Sequence, residues 1–390
     1  MREPVEPFVD DLAELDPVIS TEVTDNGWRG LTEEGQVLEV SGTNGHKISI
    51  PTEILIHHNG TPIGRRKVGN EWDVNIGHYL VAFNRAVAFY KHNQLTEALA
   101  EADATLLYAP TLRAKFNHSM ILLASARWRN GLAEYVRCEE HAPFMRPQVK
   151  QALAAGMTPW QGEDPRGKRL LVIHAHGFGD TIQCLRYVPM LKAMGADVTL
   201  MVPPELASLA VLFAPLADTF DADYFCPILH LLKFLDVQPF NVDPRPYIKI
   251  PMSEWRRGRT KIGLAWSVGK PSPGDYPRTI ELRELRTRFG PDSELHSVQT
   301  QGADEAVRLG VIPHQFADFG QCAELMMTMD AIVSVDTAAL HLAGAIGHPQ
   351  VFGLLSHWHS WRWIAPWYGN VKLCKQTKPD DWSGAIAQIQ

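Results

Sequence analysis

Two stretches of the chain repeat one design: an apolar strand runs into a small-residue turn that carries an Asp, and the chain continues as a helix. The first is RLLVIHAHGFGDTIQCLRYVPML, in which Gly177 and Gly179 precede Asp180; the second is DAIVSVDTAALHLAGAIG, in which Asp336 and Thr337 precede His341. A strand feeding a helix through such a turn aims free backbone N–H groups at whatever occupies the crevice, and the helix dipole favours negative charge there. Two such crevices predict two facing Rossmann-like α/β domains with a ligand between them.

The chain has 390 residues, enough for two or three domains with substantial cores. No run reaches the roughly 18 uninterrupted apolar residues of a membrane span, and the start, MREPVEPFVDD, has no apolar signal core. The expected location is therefore the cytoplasm. The five cysteines (Cys138, Cys184, Cys226, Cys322, Cys374) are scattered and never form Cys-x-x-Cys, which argues against a disulfide framework or structural zinc. Of the net charge of −7, residues 1–40 hold eleven acids against two basic residues. That balance disfavours a nucleic-acid partner held through phosphates.

The organisation reads in five parts. Residues 1–75 are an acidic, irregular start with short alternating runs that suggest a small β element. Residues 76–145 show helical periodicity, and NQLTEALAEADATL and NGLAEYVRCEEHA align with Leu95 matching Leu132. This offset fits a tetratricopeptide-like helical repeat, or equally an ordinary helical bundle. Residues 146–167 read as a linker, 168–255 as the first α/β domain and 256–390 as the second, with a helix expected over Thr181–Met194 and strands at TKIGLAW, HSVQ, AIVSV and QVFGLL.

Each candidate site has a plain alternative. A dinucleotide fingerprint needs a third glycine where this chain has Ile182, which argues against NAD or FAD. Asp180 either caps its helix or serves as a general base, with Gly177 and Gly179 allowing close approach of a sugar. Thr337 and the backbone at Ala338 offer an anion site, with Asp336 beside it and His341 one turn on along the same face. Lys270 and Arg278 could neutralise a diphosphate, and Gln299, at the end of the strand HSVQ, is expected among the donor-binding residues. Ser267 sits in a nucleophile-elbow-like Ala-x-Ser-x-Gly, but a Pro- and Gly-rich stretch follows where a helix is required. Asp221 and Asp223 read as a surface loop. The pairs His174/His176 and His357/His359 show no third ligand, so no metal is expected. In the aromatic run HWHSWRWIAPWY, Trp361 and Arg362, like Trp266 elsewhere, either pack in the core or stack on a base or sugar.

Together, PWQGEDPRGKRLLVIHAHGFGDTIQCLRYVPMLKAMGADVTLMVPPEL, IGLAW with RTI, HSVQ, DFGQCAELMMTMDAIVSVDTAALHLAGAIGHP and SWRWIAPWYGNVKLCKQ resemble bacterial tetratricopeptide-repeat proteins with a heptosyltransferase-like glycosyltransferase domain. The resemblance implies a GT-B fold and inverting, metal-independent transfer from a nucleotide-diphosphate sugar. It places Asp180 as the base, Asp336, Thr337 and His341 in the donor-binding turn, and Lys270 as a phosphate-binding lysine. The acceptor would be a protein Ser/Thr or a glycan, with a hydroxylated nucleobase in DNA as an alternative. The competing expectation is a catalytically inactive scaffold of repeats and a GT-B domain.

Overall fold

The computed structural model describes residues 18–24, 27–32, 36–41, 53–58, 61–67, 71–141, 144–250, 259–269 and 277–389; up to residue 78 only the secondary structure is described. The first 17 residues of the acidic start and Lys270 lie outside the described residues. The chain divides into two compact units, one of Met1–Cys138 with Ser272–Asp275, the other of Glu139–Pro271 with Tyr276–Gln390.

The first unit opens with a five-stranded antiparallel sheet in sequence order: β1 (Val18–Thr24), β2 (Gly27–Thr32), β3 (Gln36–Ser41), β4 (Glu53–His58) and β5 (Thr61–Lys67). The short alternating runs of the sequence are thus a meander. Helices Glu71–Lys91, Leu95–Tyr108 and Leu112–Ala124 follow, then Trp128–Glu139, whose last residue, Glu139, belongs to the second unit. Tight reversals between them use left-handed backbone at Asn93 and Ala126. Thr111 caps the third helix by accepting the Ala114 N–H at 3.1 Å, and its hydroxyl also bonds Tyr79. Gly131 lets the fourth helix approach the third closely, since a Cβ there would lie 2.8 Å from Leu123 Cγ.

The second unit is mixed α/β with two parallel sheets. The smaller has the order β7-β6-β8, with β6 at Arg169–Ile173, β7 at Asp197–Met201 and β8 at Tyr224–Pro227. The stretch read as a linker contains a helix, Pro147–Ala154, whose Val149 and Ala152 pack with Leu171, Ile173 and Phe225. Its apolar face, hidden among Pro and Gly in the sequence, has a sheet to cover.

The larger sheet comprises β9 (Thr260–Ala265), β10 (Ser293–Ser297), β11 (Val311–Ile312), β12 (Ala331–Val335), β13 (Val351–Leu355) and β14 (Val371–Lys375). Its order is β11-β10-β9-β12-β13-β14, all parallel. Counted within the sheet this is 3-2-1-4-5-6, the doubly wound order whose ligand crevice lies at the carboxyl ends of the first and fourth strands. β12 and β13 are buried along their whole length, as strands covered on both faces must be. Leu264, Val333, Val335 and Leu354 centre that core; fully burying each stabilises by about 1.5–3 kcal/mol.

Candidate functional site

The chain leaves β6 at Ile173 and reaches the helix Phe178–Cys184 through Gly177, its N-cap, in extended backbone. The helix expected over Thr181–Met194 starts three residues earlier and ends at Cys184, followed by a 3-10 turn Leu185–Tyr187 and a second helix Val188–Ala193, so Asp180 is the third residue of the first helix and lies inside it, not at the end of the turn. Asp180 Oδ2 accepts the Gly177 N–H at 3.0 Å, which satisfies one of the helix's orphan donors. Its Oδ1 is paired with Arg362 Nη2 at 2.6 Å, both side chains being 17% exposed. Burial alone would raise this carboxyl; Arg362, with His176, His341 and the Gly177 N–H, outweighs burial and holds it below its ordinary value.

The second turn follows β12. Asp336 is buried, and its carbonyl accepts from Arg278 Nη1 at 3.2 Å. Thr337 is the N-cap of the helix Ala338–Ala345, yet its side chain caps no helix N–H; its hydroxyl lies 3.2 Å from Ser334 Oγ. Thr337 and Ala338 are only half buried. This helix start lies at the carboxyl end of β12, beside that of β9, which is the topological switch point of the sheet.

His341 joins the two turns. Its Nδ1 lies 2.9 Å from the Tyr368 hydroxyl, its Nε2 lies 3.9 Å from Asp336 Oδ1, and its ring stacks on Trp363 at 4.9 Å. Burial, helped by Arg362 and Arg186 against Asp336 and Asp180, pushes the imidazole down to about 4, so it is neutral at pH 7.

The structure bears on several of the alternatives that the sequence leaves open. Gly179 accommodates the protein itself: a Cβ would lie 2.7 Å from His341 Cδ2, so the missing side chain lets the two motif helices touch. Trp266 is a core residue 1% exposed, its indole N–H donating to Glu305, and Trp361 is equally buried. Neither presents a face to a ligand. Arg362 lies over Trp361 at 4.7 Å, so its stacking partner is internal and its charge serves Asp180. Gln299 accepts the N–H groups of Trp266 and Ser267 and donates to Ser267 Oγ and the Gln301 carbonyl; its amide ties the end of β9 in place and does not reach outward.

Asp221 and Asp223 pair with Arg169 on the surface. His174 bonds Thr181 Oγ1 at 2.8 Å, whereas His176 turns to Glu139. His357 and His359 form no cluster with a third donor; among the described residues the group of His and carboxylate donors close enough to hold a metal is Glu139, His176 and His230.

Sequence reasoning missed Arg186 and its aromatic surround. The guanidinium lies 4.3 Å from the Tyr247 ring and 5.0 Å from Tyr368, and donates to the Asp243 and Trp367 carbonyls. Tyr247 in turn donates to the Ile182 carbonyl at 2.7 Å. The one available signal was the Arg-Tyr pair following Cys184 in the first motif; its partners are far away in sequence.

No protein-family model matches the sequence. Among curated proteins the chain is similar to Protein FlbA of Caulobacter vibrioides, 24% identical over 78% of this chain and 60% of that protein, so it spans less than two thirds of that relative's length. Among solved structures it is similar to a glycosyl transferase family 9 protein from Veillonella parvula (TM-score 0.41, 11% identity, 55% of this chain and 87% of that one). It is also similar to E. coli ADP-heptose LPS heptosyltransferase II (TM-score 0.39, 12% identity, 57% and 95%). A mutant of the O-GlcNAc transferase of Thermobaculum terrenum matches at a TM-score of 0.31 and 10% identity, over 81% of this chain and 82% of that one.

Proposed function

We propose that the second unit is a GT-B glycosyltransferase that moves a sugar from a nucleotide-diphosphate donor to an acceptor hydroxyl with inversion and without a metal in the transfer step. The observation that carries this reading is the Asp180–Arg362 ion pair, which joins a carboxylate from the first strand-turn-helix unit to a cation beside the second. The donor diphosphate sits at the start of the helix Ala338–Ala345, where half-buried Thr337 leaves the first N–H groups uncapped and Arg278 lies alongside. Lys270 belongs to the same group by its place in the sequence.

In this reading the diphosphate, with more charge and more acceptor oxygens than one carboxylate, draws Arg362 away from Asp180. Asp180, thus released, takes the proton of the acceptor hydroxyl as the oxygen attacks the anomeric carbon. The carbon–oxygen bond to the diphosphate breaks on the opposite face, and Arg362, Arg278 and the helix terminus offset the charge left on the leaving group. Neutral His341 keeps Gly179 and the turn at Thr337 in register. The acceptor is a protein Ser/Thr or a glycan.

The test combines thermal shift across nucleoside diphosphates and their sugars with a transfer assay on Asp180→Asn. One nucleotide should raise the melting temperature, and the variant should keep that shift while losing about 10²–10⁴ in rate. Full activity in the variant overturns the role of Asp180. No shift with any nucleotide returns the chain to the scaffold reading.

A further inference from the structure

The sequence pairs His176 with His174, but the structure gives them different partners, Thr181 for His174 and two residues from far away for His176. Its Nε2 lies 2.9 Å from Glu139 Oε2 and 3.1 Å from Oε1, while His230 Nε2 approaches the same Oε2 at 2.8 Å. The donor atoms of all three residues lie within 4.8 Å of one another. The side chains are 2%, 3% and 9% exposed for Glu139, His176 and His230. Glu139 ends the helix Trp128–Glu139, His176 lies in the turn after β6, and His230 ends the helical turn Ile228–His230 after β8.

We propose that Glu139, His176 and His230 form a binding site for a divalent transition metal of the zinc class. Two imidazoles and a carboxylate are a borderline donor set of the type zinc takes, with bonds of about 2.0–2.2 Å. Ligands on such a tetrahedron stand about 3.3 Å apart; the two Glu139–imidazole spacings, 2.9 and 2.8 Å, are a few tenths shorter and the third pair of donors lies within 4.8 Å, so rotations of the three side chains admit the ion. Glu139 Oε2, which both imidazoles already face, becomes the ligand oxygen. Oε1 stays with Arg146, whose Nε donates to it at 2.9 Å and orients the carboxylate from outside the shell. Each imidazole binds through its Nε2 lone pair with its proton on Nδ1, and water completes the shell. The Arg146 charge lowers affinity and selects an ion that gains from imidazole ligands over magnesium or calcium. The role is structural: the ion ties Glu139, the turn leading to Asp180 and the turn after β8 together, and it takes no part in sugar transfer.

The test uses tag-free full-length protein stripped by a chelator. Zinc titration should show one tight equivalent and a raised melting temperature, and cobalt(II) should give the visible bands of a tetrahedral site. Glu139→Gln and His230→Asn should each weaken binding by more than about 100-fold, whereas His359→Ala, at the other His pair, should leave it unchanged. Extended X-ray absorption on the zinc-loaded parent, which does not depend on any variant folding, should show two imidazoles. Absence of a stoichiometric site, unchanged affinity in Glu139→Gln, or loss in His359→Ala overturns the proposal and leaves a hydrogen-bonded network.

Discussion

Asp180 and Arg362 restrain each other in the structure as it stands, and the proposed reaction requires that they part. Replacing Arg362 by Ala removes the strongest of the influences that hold the Asp180 carboxyl down, so that carboxyl rises toward its ordinary value. The acid limb of kcat/KM should therefore move to higher pH in Arg362→Ala, together with weaker binding of the nucleotide diphosphate. A pH–rate profile with an unmoved acid limb would show that Arg362 does not set the charge state of the base. His341 carries a second prediction. Its folded-state value is depressed from 6.5 to about 4, so between those limits the unfolded chain binds a proton that the folded one refuses. Stability should fall as pH drops through that window, by up to ~3 kcal/mol from this residue, and level off below it. His341→Gln should flatten that limb in urea titrations run from pH 7 to 4; superimposed curves would mean the imidazole is protonated in the fold. The places of Asp180 and His341, each in the helix that follows a strand and a small-residue turn, were readable because that pattern is local. The pairing of Asp180 with Arg362 was not, since nothing in a linear sequence reports which guanidinium crosses between two strand-turn-helix units.

At the scale of the element, the two motif helices have different termini and should answer substitution differently. The helix Phe178–Cys184 is closed by Asp180, and the helix Phe319–Met326 by Asp318, whose carboxylate accepts the Gln321 N–H at 2.9 Å. The helix Ala338–Ala345 has no such side-chain cap. Asp318→Ala should cost about 1 kcal/mol of stability, while Thr337→Ala should cost little and yet weaken donor binding, read by urea denaturation and nucleotide titration side by side. Equal stability losses would make Thr337 an ordinary cap. Gly179→Ala tests the contact between the helices: a Cβ set 2.7 Å from His341 Cδ2 must displace a buried ring. About 1–3 kcal/mol should be lost, with transfer falling as the two turns separate. The sequence placed both helices because the change from strand to helical period is strong there. It read the glycine as room for a sugar, since sequence cannot tell a gap left for a ligand from one left for a neighbouring helix.

For the whole molecule, the parallel sheets of the second unit follow from repeated apolar strands and intervening helices, but their strand order does not. Strand-helix-strand connections fix handedness and leave open where the sheet reverses direction. In the larger sheet the strand order reverses between β9 and β12, and that choice brings Arg278 to the Asp336 carbonyl. The cysteines offer a measurement of how firmly this arrangement is held. All five are buried, and burial pushes thiols such as Cys322 up to about 12, so none is reactive in the folded chain. A thiol reagent should label the native protein only through opening events, and all five after denaturation. Cys184 ends the motif helix that carries Asp180, whereas Cys138 belongs to the other unit. A nucleotide that binds only the closed site, present at 100 times its dissociation constant, should slow Cys184 labelling about 100-fold when opening equilibrates faster than labelling. Cys138 should be unaffected. If nucleotide binds tightly yet Cys184 labels at its former rate, then the helix Phe178–Cys184 opens without releasing the donor, and Asp180 is not part of the donor-bound site.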